Sequence, residues 1–548
     1  MSIGLVLGAT VIICCIFLNK FTSKTGVPML VIFILLGMLF GSEGILKIQF
    51  DNYKFAEDIC SAALIFIIFY GGFGVKWSEA KKVAPVSILL SSAGVLITAF
   101  LTGMFCFLVL NMELLESLLI GSVLSSTDAA SVFSVLRSKR LNLKYHTASV
   151  LELESGSNDP WAYMLTLVIL SIMNGDVSAG DVAYILFAQI VYGIGIGVLI
   201  SVLSVLIIKN VKFDIAGFNT LFVMAVAALS YALPTLIGGN GYISTYIAGI
   251  VLGNTRINDK PELVSFFDGI TGFSQILIFF LLGLLATPSA MFPVLLPALI
   301  ILVFLTVIAR PAAVFLTMLP FRAKLNQQLL ISFSGLRGAT SIVFAIIAIV
   351  NTDYTGGDLF HIVFCTVLIS IAVQGSFLPR IAKSLDMIDN NENVMKTFND
   401  YSDETQVQFV RLSIKEGSRW ANMPIKDIPF PTGLLVVMIL RDNEKIVPSG
   451  KTVILAGDVV VMGAEGFYDD TNLELNEYTI SDNHKWRNKR ISEITIPNNG
   501  LIILIKRNGS ILVPNGKSIL RKNDILVVTA GSQKIKIRFF AQTGYIIT

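Results

Sequence analysis

The sequence predicts an all-α polytopic membrane domain of thirteen transmembrane helices with an inverted repeat and two interrupted helices, followed by a small cytoplasmic α+β domain made of two repeats. Three observations predict it. Charge is depleted only in the first 383 residues, two apolar runs carry matching polar breaks, and the last part of the chain repeats itself without gaps.

The 548 residues are 54% hydrophobic and 14% charged, against about 25% charged in an ordinary soluble domain. Residues 1–383 are a series of long apolar runs, whereas 384–548 have the composition of a soluble domain. A formal net charge of +3 gives no reason to expect a nucleic-acid partner. The five cysteines, Cys14, Cys15, Cys60, Cys106 and Cys365, all fall in apolar runs, so they form neither a disulfide framework nor a zinc site.

A spanning helix needs about 20 mostly apolar residues. Thirteen candidates lie near 2–19, 27–45, 56–75, 83–110, 114–136, 146–173, 181–208, 218–237, 241–254, 263–286, 290–319, 327–350 and 359–379. With the N-terminus outside, the inner loops carry seventeen Lys and Arg, and the outer loops only Lys47 and Lys54. That positive-inside bias supports an odd number of spans and puts the C-terminal part in the cytoplasm, in a multi-pass protein of the cell membrane. The first run is followed, not preceded, by basic residues (Lys20, Lys24), which argues against a cleaved signal peptide.

Polar residues inside spans are costly and mark function. The fifth span contains Ser125–Ser126–Thr127–Asp128. The sixth contains Glu152 and Glu154–Ser155–Gly156–Ser157–Asn158–Asp159–Pro160. The twelfth contains Ser334–Gly335–Leu336–Arg337–Gly338. GSVLSSTDAASVF (121–133) and SFSGLRGATSIVF (332–344) align at an offset of 211, as expected of two broken helices in corresponding halves of a transporter. A hard monovalent cation wants oxygen ligands, and Asp128, Asp159, Thr127 and Ser155 offer them. Burial favours a protonated carboxyl and a bound cation favours an ionised one, so one Asp can hold either but not both. That competition couples exchange, provided the empty, ionised site cannot cross the membrane. Arg337 needs a buried partner. Glu154 is the candidate, in a structural ion pair that leaves Asp159 free to titrate. Arg310, before Pro311, is expected to satisfy a broken helix.

On STDAA (126–130), ESGSNDP (154–160) and GLRGA (335–339), residues 1–383 resemble the NhaP-type monovalent cation:proton antiporters of the NhaA-like fold. The resemblance implies that Asp159 is the shared cation/proton ligand. It further implies that Asn158 supports the site, that Thr127, Asp128 and Ser155 line it, and that Glu154 pairs with Arg337. It also implies one-for-one, electroneutral exchange of K⁺ or Na⁺ for H⁺ by an elevator-like motion in a homodimer embedded in lipid, without enzymatic activity or a resident cofactor. Two positions depart. Tyr70 stands before Gly71–Gly72 where relatives carry an acidic residue, and Ala129 stands where many have Pro.

After a polar linker (384–405), the chain repeats at an offset of 66, in units 406–469 and 472–540. Trp420, Ile425, Ile428, Pro431, Pro448, Gly450, Lys451 and Asp458 match Trp486, Ile491, Ile494, Pro497, Pro514, Gly516, Lys517 and Asp524. PSGKT (448–452) and PNGKS (514–518) lack the earlier Gly of a phosphate-binding loop, and strands follow them instead of a helix. Both copies resemble RCK C-terminal (TrkA-C) domains, although Asn523 replaces the Gly that precedes the turn Asp in the first copy. That resemblance implies dimerisation or the binding of small regulators of potassium flux, cyclic dinucleotides among them, with K⁺ favoured as the cation. Two other classes are weighed against exchange. A regulated cation channel lacks a filter-like loop, and an intramembrane aspartyl protease using Asp128 and Asp159 fits the Asn-Asp-Pro break poorly.

Overall fold

The structure is a computed structural model that describes Val6 to Thr529 apart from residues 7, 18–28, 389–406, 466–474, 495–501 and shorter stretches. The predicted linker from residue 389 on, Ala129, Pro431, Pro497 and the loop residues Lys20, Lys24, Lys76, Arg137, Lys139, Arg140, Lys212 and Arg256 lie outside the described residues. The chain divides into two compact units, Met1–Met395 and Lys396–Thr548.

The first unit is helical because a chain in hydrocarbon must satisfy every backbone N–H and C=O within itself. Its elements are α1 (Gly8–Phe17), α2 (Met29–Phe40), α3 (Tyr53–Gly74), α4 (Trp77–Leu89), α5 (Val95–Val109), α6 (Leu114–Val123), α7 (Thr147–Met173), α8 (Ala179–Asn210) and α9 (Phe218–Leu236). They continue as α10 (Gly241–Gly253), α11 (Lys260–Leu285), α12 (Pro288–Phe304), α13 (Arg310–Met318), α14 (Leu325–Phe333), α15 (Ala339–Val350), α16 (Leu359–Ile369) and α17 (Gly375–Ser384). Each of the thirteen predicted spans contains helix among the described residues, and seven helices are long and apolar enough to cross a membrane unaided. Helix edges extend past the apolar runs where caps allow. The Asn52 side chain accepts from Phe55 N at 2.9 Å, which starts α3 ahead of its apolar stretch.

The two halves repeat. α6 begins at Leu114 and α14 at Leu325, at the sequence offset, and the chain leaves helical conformation at 124–128 and again at 334–338, within one residue of it. The fourth and eleventh spans each contain a π turn, at Leu90–Gly94 and Leu305–Ala309. Backbones approach closely in two related places. A Cβ added to Gly283 of α11 would lie 2.2 Å from Ile34 O of α2, and one on Gly249 of α10 would lie 2.2 Å from Phe69 O of α3. Only glycine permits such contact, the small-residue packing typical of helices in lipid.

The chain leaving α17 is sewn to the loops that lead into the site helices. Leu143 bridges Ile388, Lys144 N donates to Met387 O (2.9 Å), Lys144 pairs with Asp386 (3.0 Å), and the Asn326 side chain donates to Leu385 O (2.9 Å).

In the second unit each repeat folds as a four-stranded antiparallel sheet. The strands are β1 (Val407–Ser413), β2 (Met423–Pro424), β3 (Leu435–Arg441), β4 (Glu444–Ile446), β5 (Val453–Ile454), β6 (Val459–Glu465), β7 (Leu475–Thr479), β8 (Ile502–Arg507), β9 (Ser510–Leu512) and β10 (Ile525–Thr529). The sheet orders are β1-β6-β3-β4 and β7-β10-β8-β9. Register is conserved at the sequence offset, with Ser413 opposite Val459 and Thr479 opposite Ile525, and with Ile439 opposite Ile446 and Ile505 opposite Leu512. The helical part of each predicted α+β unit reduces, among the described residues, to one 3-10 turn, Ile425–Asp427 or Ile491–Glu493. The first of these follows directly on Pro424, in a connection too short for a helix.

Each sheet is locked by the same clamp. Arg441 Nε and Nη2 donate to Asp458 Oδ1 and Oδ2 (2.7 and 2.8 Å), and Arg507 does the same to Asp524 (2.7 and 2.6 Å). The guanidinium also reaches Val453 O or Ile519 O, at 2.8 Å in both cases. The PSGKT segment is a closed turn. Ser449 N donates to Thr452 Oγ1 and Thr452 N to Ser449 O, both at 2.9 Å, so these amides are already used.

Candidate cation site at two broken helices

α7 carries the candidate residues past the crossing of the two broken spans. It starts after His146, whose φ of 54° turns the chain into the helix, and it contains Pro160. Proline removes an N–H from the helix ladder. Nearby, the Asn240 side chain, which also caps α10, donates to Pro160 O at 3.0 Å and fastens α7 to α10.

The two breaks meet through backbone. Asp128 N donates to Leu336 O at 2.8 Å, so two non-helical segments cross inside the bundle. α7 lies against this crossing. Ser155 Oγ donates to Thr127 O at 2.7 Å, and Asn158 Nδ2 donates to Thr127 Oγ1 at 2.5 Å. Asp159 is buried, and each of its oxygens meets one break: Oδ1 accepts from Ser126 Oγ, and Oδ2 accepts from Thr340 Oγ1 at 3.2 Å. Asn158 Oδ1 is buried with no hydrogen-bond partner among the described residues. Asp159, Asn158, Thr127 and Ser155 are therefore brought together as one cluster of oxygen-bearing side chains.

Asp128 reaches the site through its backbone. Its Oδ1 accepts from Ser131 N (3.2 Å) and its Oδ2 from Ser131 Oγ, which caps the helical residues that follow. The side chain lies on Gly338, where an added Cβ would come within 2.5 Å of Asp128 Cβ. The expected second carboxylate of the site is thus also a cap on the helical residues after the first break.

The arginines correct the sequence-based pairing. Glu154 pairs with Arg310, not with Arg337: Arg310 Nη2 donates to Glu154 Oε1 at 2.5 Å, with both side chains shut off from water. Arg310 opens α13 directly after a π turn and lies across Gly335, where the missing side chain makes room for it. Arg337 Nη1 donates instead to Ser125 O (2.9 Å) and Ser126 O (2.7 Å). These carbonyls lie just past the end of α6, where a broken helix leaves acceptors unpaired and a cation is favoured. Each arginine thus performs the role expected of the other.

Ser126 and Thr340 were not singled out as ligands. Ser126 adjoins the Thr-Asp pair, and Thr340 begins the helix after the second break, so the paired breaks themselves were the available signal. Tyr70, at the departing position of the third span, directs its hydroxyl toward Asp268 Oδ1 of α11 at 3.5 Å.

A family model described as sodium/hydrogen exchanger, transmembrane, matches residues 8–384, and the TrkA-C domain model matches 409–464 and 475–536. The chain is 31% identical over 475 residues to the K(+)/H(+) antiporter NhaP2 of Shewanella sp. (strain MR-4), covering 84% of this chain and 81% of that one. It is 32% identical over 446 residues to the K(+)/H(+) antiporter NhaP of Alkalimonas amylolytica, covering 80% and 77%. Among solved structures, the sodium proton antiporter MjNhaP1 of Methanocaldococcus jannaschii superposes with a TM-score of 0.63 at 24% identity, covering 70% of this chain and 99% of that one. With more than half of its length matched by the exchanger model, the chain belongs to the transmembrane sodium/hydrogen exchanger family.

Proposed function

We propose that this protein exchanges a monovalent cation, K⁺ before Na⁺, for H⁺ at Asp159. One observation carries the reading. Asp159 is a buried carboxylate whose two oxygens accept from the hydroxyls of Ser126 and Thr340, while the nearby Glu154 is already neutralised by Arg310. A proton or a cation can supply the missing positive charge, and each excludes the other. Ser126, Thr340, Thr127 and the unpartnered Asn158 Oδ1 supply further oxygens for a cation. The names of the similar NhaP2 and NhaP proteins favour K⁺. One cation against one proton keeps the cycle electroneutral.

The same proposal orients the protein with its N-terminus outside and the TrkA-C units in the cytoplasm, following the loop charges. It assigns those units regulation by a bound small molecule, a cyclic dinucleotide being the first to try, and it makes the protein a homodimer. The test is cation-driven dissipation of ΔpH in proteoliposomes with K⁺, Na⁺ and Li⁺ at several pH values. Exchange is expected to persist with the membrane potential clamped and to vanish in Asp159→Asn. Exchange surviving that substitution would sink the assignment.

A further inference from the structure

Two tyrosines one helical turn apart on α10 bracket Asp159. α10 runs antiparallel to α7. Its first residue follows Asn240, which bonds Pro160 O, then Tyr242 meets Tyr163, and further on Tyr246 meets Gly156. Asp159 lies between Gly156 and Tyr163 on α7, and so between the two α10 rings.

The two sides are built differently. Beyond Asp159, Tyr242 stands edge-on to Tyr163 (5.0 Å, 88°), packs against Tyr231 (4.9 Å) and approaches Phe344 (6.2 Å), and Tyr163 and Phe344 touch each other at 5.6 Å. Tyr163 comes one turn after Asp159, and Phe344 one turn after Thr340. Rings from α7, α9, α10 and α15 therefore close together over one side of the site.

On the other side stands Tyr246. The hydroxyl end of its ring lies against the α7 backbone at Gly156, where an added Cβ would come within 2.5 Å of Cε2 and 2.7 Å of the phenol oxygen. The residue is buried, yet the hydroxyl has no hydrogen-bond partner among the described residues. Past it the same α7 face opens by steps. Asp159 is buried, Ser155 and Gly156 are half-buried, and Glu152 is exposed, at a spacing that keeps all four on one side of the helix. This is the end of the unit where Lys144, just before α7, pairs with Asp386 beyond α17, so it is the side from which the C-terminal chain departs.

We infer that Tyr242 and Tyr246 are the two barrier residues of the exchange cycle: Tyr246 is the thin barrier on the Glu152 side, and the cluster around Tyr242 is the thick barrier on the far side. The inference rests on Asp159 being the exchange site. Both hydroxyls lack a partner among the described residues, so the rings make the difference: Tyr246, seated on a glycine with no aromatic ring against it among the described residues, moves aside more cheaply than a clustered ring. Rings from four helices separate only when the helices themselves shift. The observed conformation is therefore closest to one loaded from the Glu152 side.

The test is exchange kinetics in proteoliposomes, with the cation supplied from one side at a time and the sides identified by protease access to the C-terminal unit. Tyr246→Ala is expected to lower the apparent KM on the Glu152 side by about threefold or more while moving the far side less than half as much. Tyr246→Phe, which keeps the ring, is expected to rescue that difference. Tyr242→Ala is expected to leak cation without counter-moving protons. If it does not accumulate, Tyr163→Leu combined with Phe344→Leu reads the same leak. Equal shifts on both sides, or no shift, together with tight coupling in the ring-cluster variants would overturn the inference. Asp159→Asn run in parallel separates the two ideas, because retained exchange there condemns the site and not the barriers.

Discussion

Glu154 and Arg310 face each other at 2.5 Å with side chains 1% and 2% exposed. Removing one partner leaves a charge stranded away from water, at a cost of about 3–5 kcal/mol. Arg310→Ala is therefore expected to lower the unfolding temperature in detergent sharply. The double variant Glu154→Leu with Arg310→Met, which removes both charges and keeps volume, is expected to recover most of the loss. If the double variant is no better than the single, the pair does more than neutralise itself. The sequence pointed to an ion pair between Glu154 and a buried arginine, since an unpaired buried charge is so costly. Which arginine was not legible. The choice depends on a π turn that aims Arg310 and on the open space over Gly335, neither of which leaves a mark in residue spacing. Asp159 stands out in the sequence as the acidic residue left in the Asn-Asp-Pro break once Glu154 is paired, and the structure buries it between Ser126 and Thr340.

The broken spans and the sheets are the elements on which function rests, and both repeat. The offset of the tail pointed to two like units, and the two sheets share one register, because a gapless repeat carries each strand pairing from the first copy to the second. The clamp inside each sheet was half visible: the turn aspartates were matched in sequence, while their arginine partners emerge only when β3 and β8 pair beside them. Arg441's hydrogen bonds hold the Asp458 carboxyl below its ordinary value, outweighing a burial effect in the other direction. At Asp524 burial pushes upward most strongly, and the hydrogen bonds from Arg507 and from the Arg521 amide together overcome it. A depressed carboxyl stabilises the fold fully above the unfolded value of about 4 and loses that contribution as pH falls through the folded value. Hydrogen exchange on the full-length protein should therefore show the β3–β6 pairing protected at neutral and mildly acidic pH and loosening below about pH 4. Asp458→Asn should lower protection throughout and remove that pH step. A step of the same size in the variant would mean another group controls it.

At the scale of the whole molecule, the run of apolar segments was enough to place helix in every predicted span, since the energetics of hydrocarbon leave the backbone little alternative. What they could not foresee was where helices depart from regularity: the π turns of the fourth and eleventh spans, and the stitching of residues 385–388 onto the loop before α7. That stitching bears on how the tail should be tested. Removing residues 400–548 leaves it intact, so the truncated protein is expected to keep exchanging while its dependence on pH and on cation concentration changes. Identical profiles with and without the tail, measured in everted vesicles, would leave dimerisation or stability as its only task. The crossing of the two broken spans has a longer consequence. Its scaffold is backbone, Asp128 N on Leu336 O and the carbonyls of Ser125 and Ser126 on one guanidinium. Mutation cannot edit a peptide group. If the proposed site holds, descendants of this protein that change their preferred ion do so at side chains such as those of Ser126, Thr127, Asn158 and Thr340, which makes the history of selectivity in such a lineage a record of side-chain oxygens gained and lost around an unaltered frame.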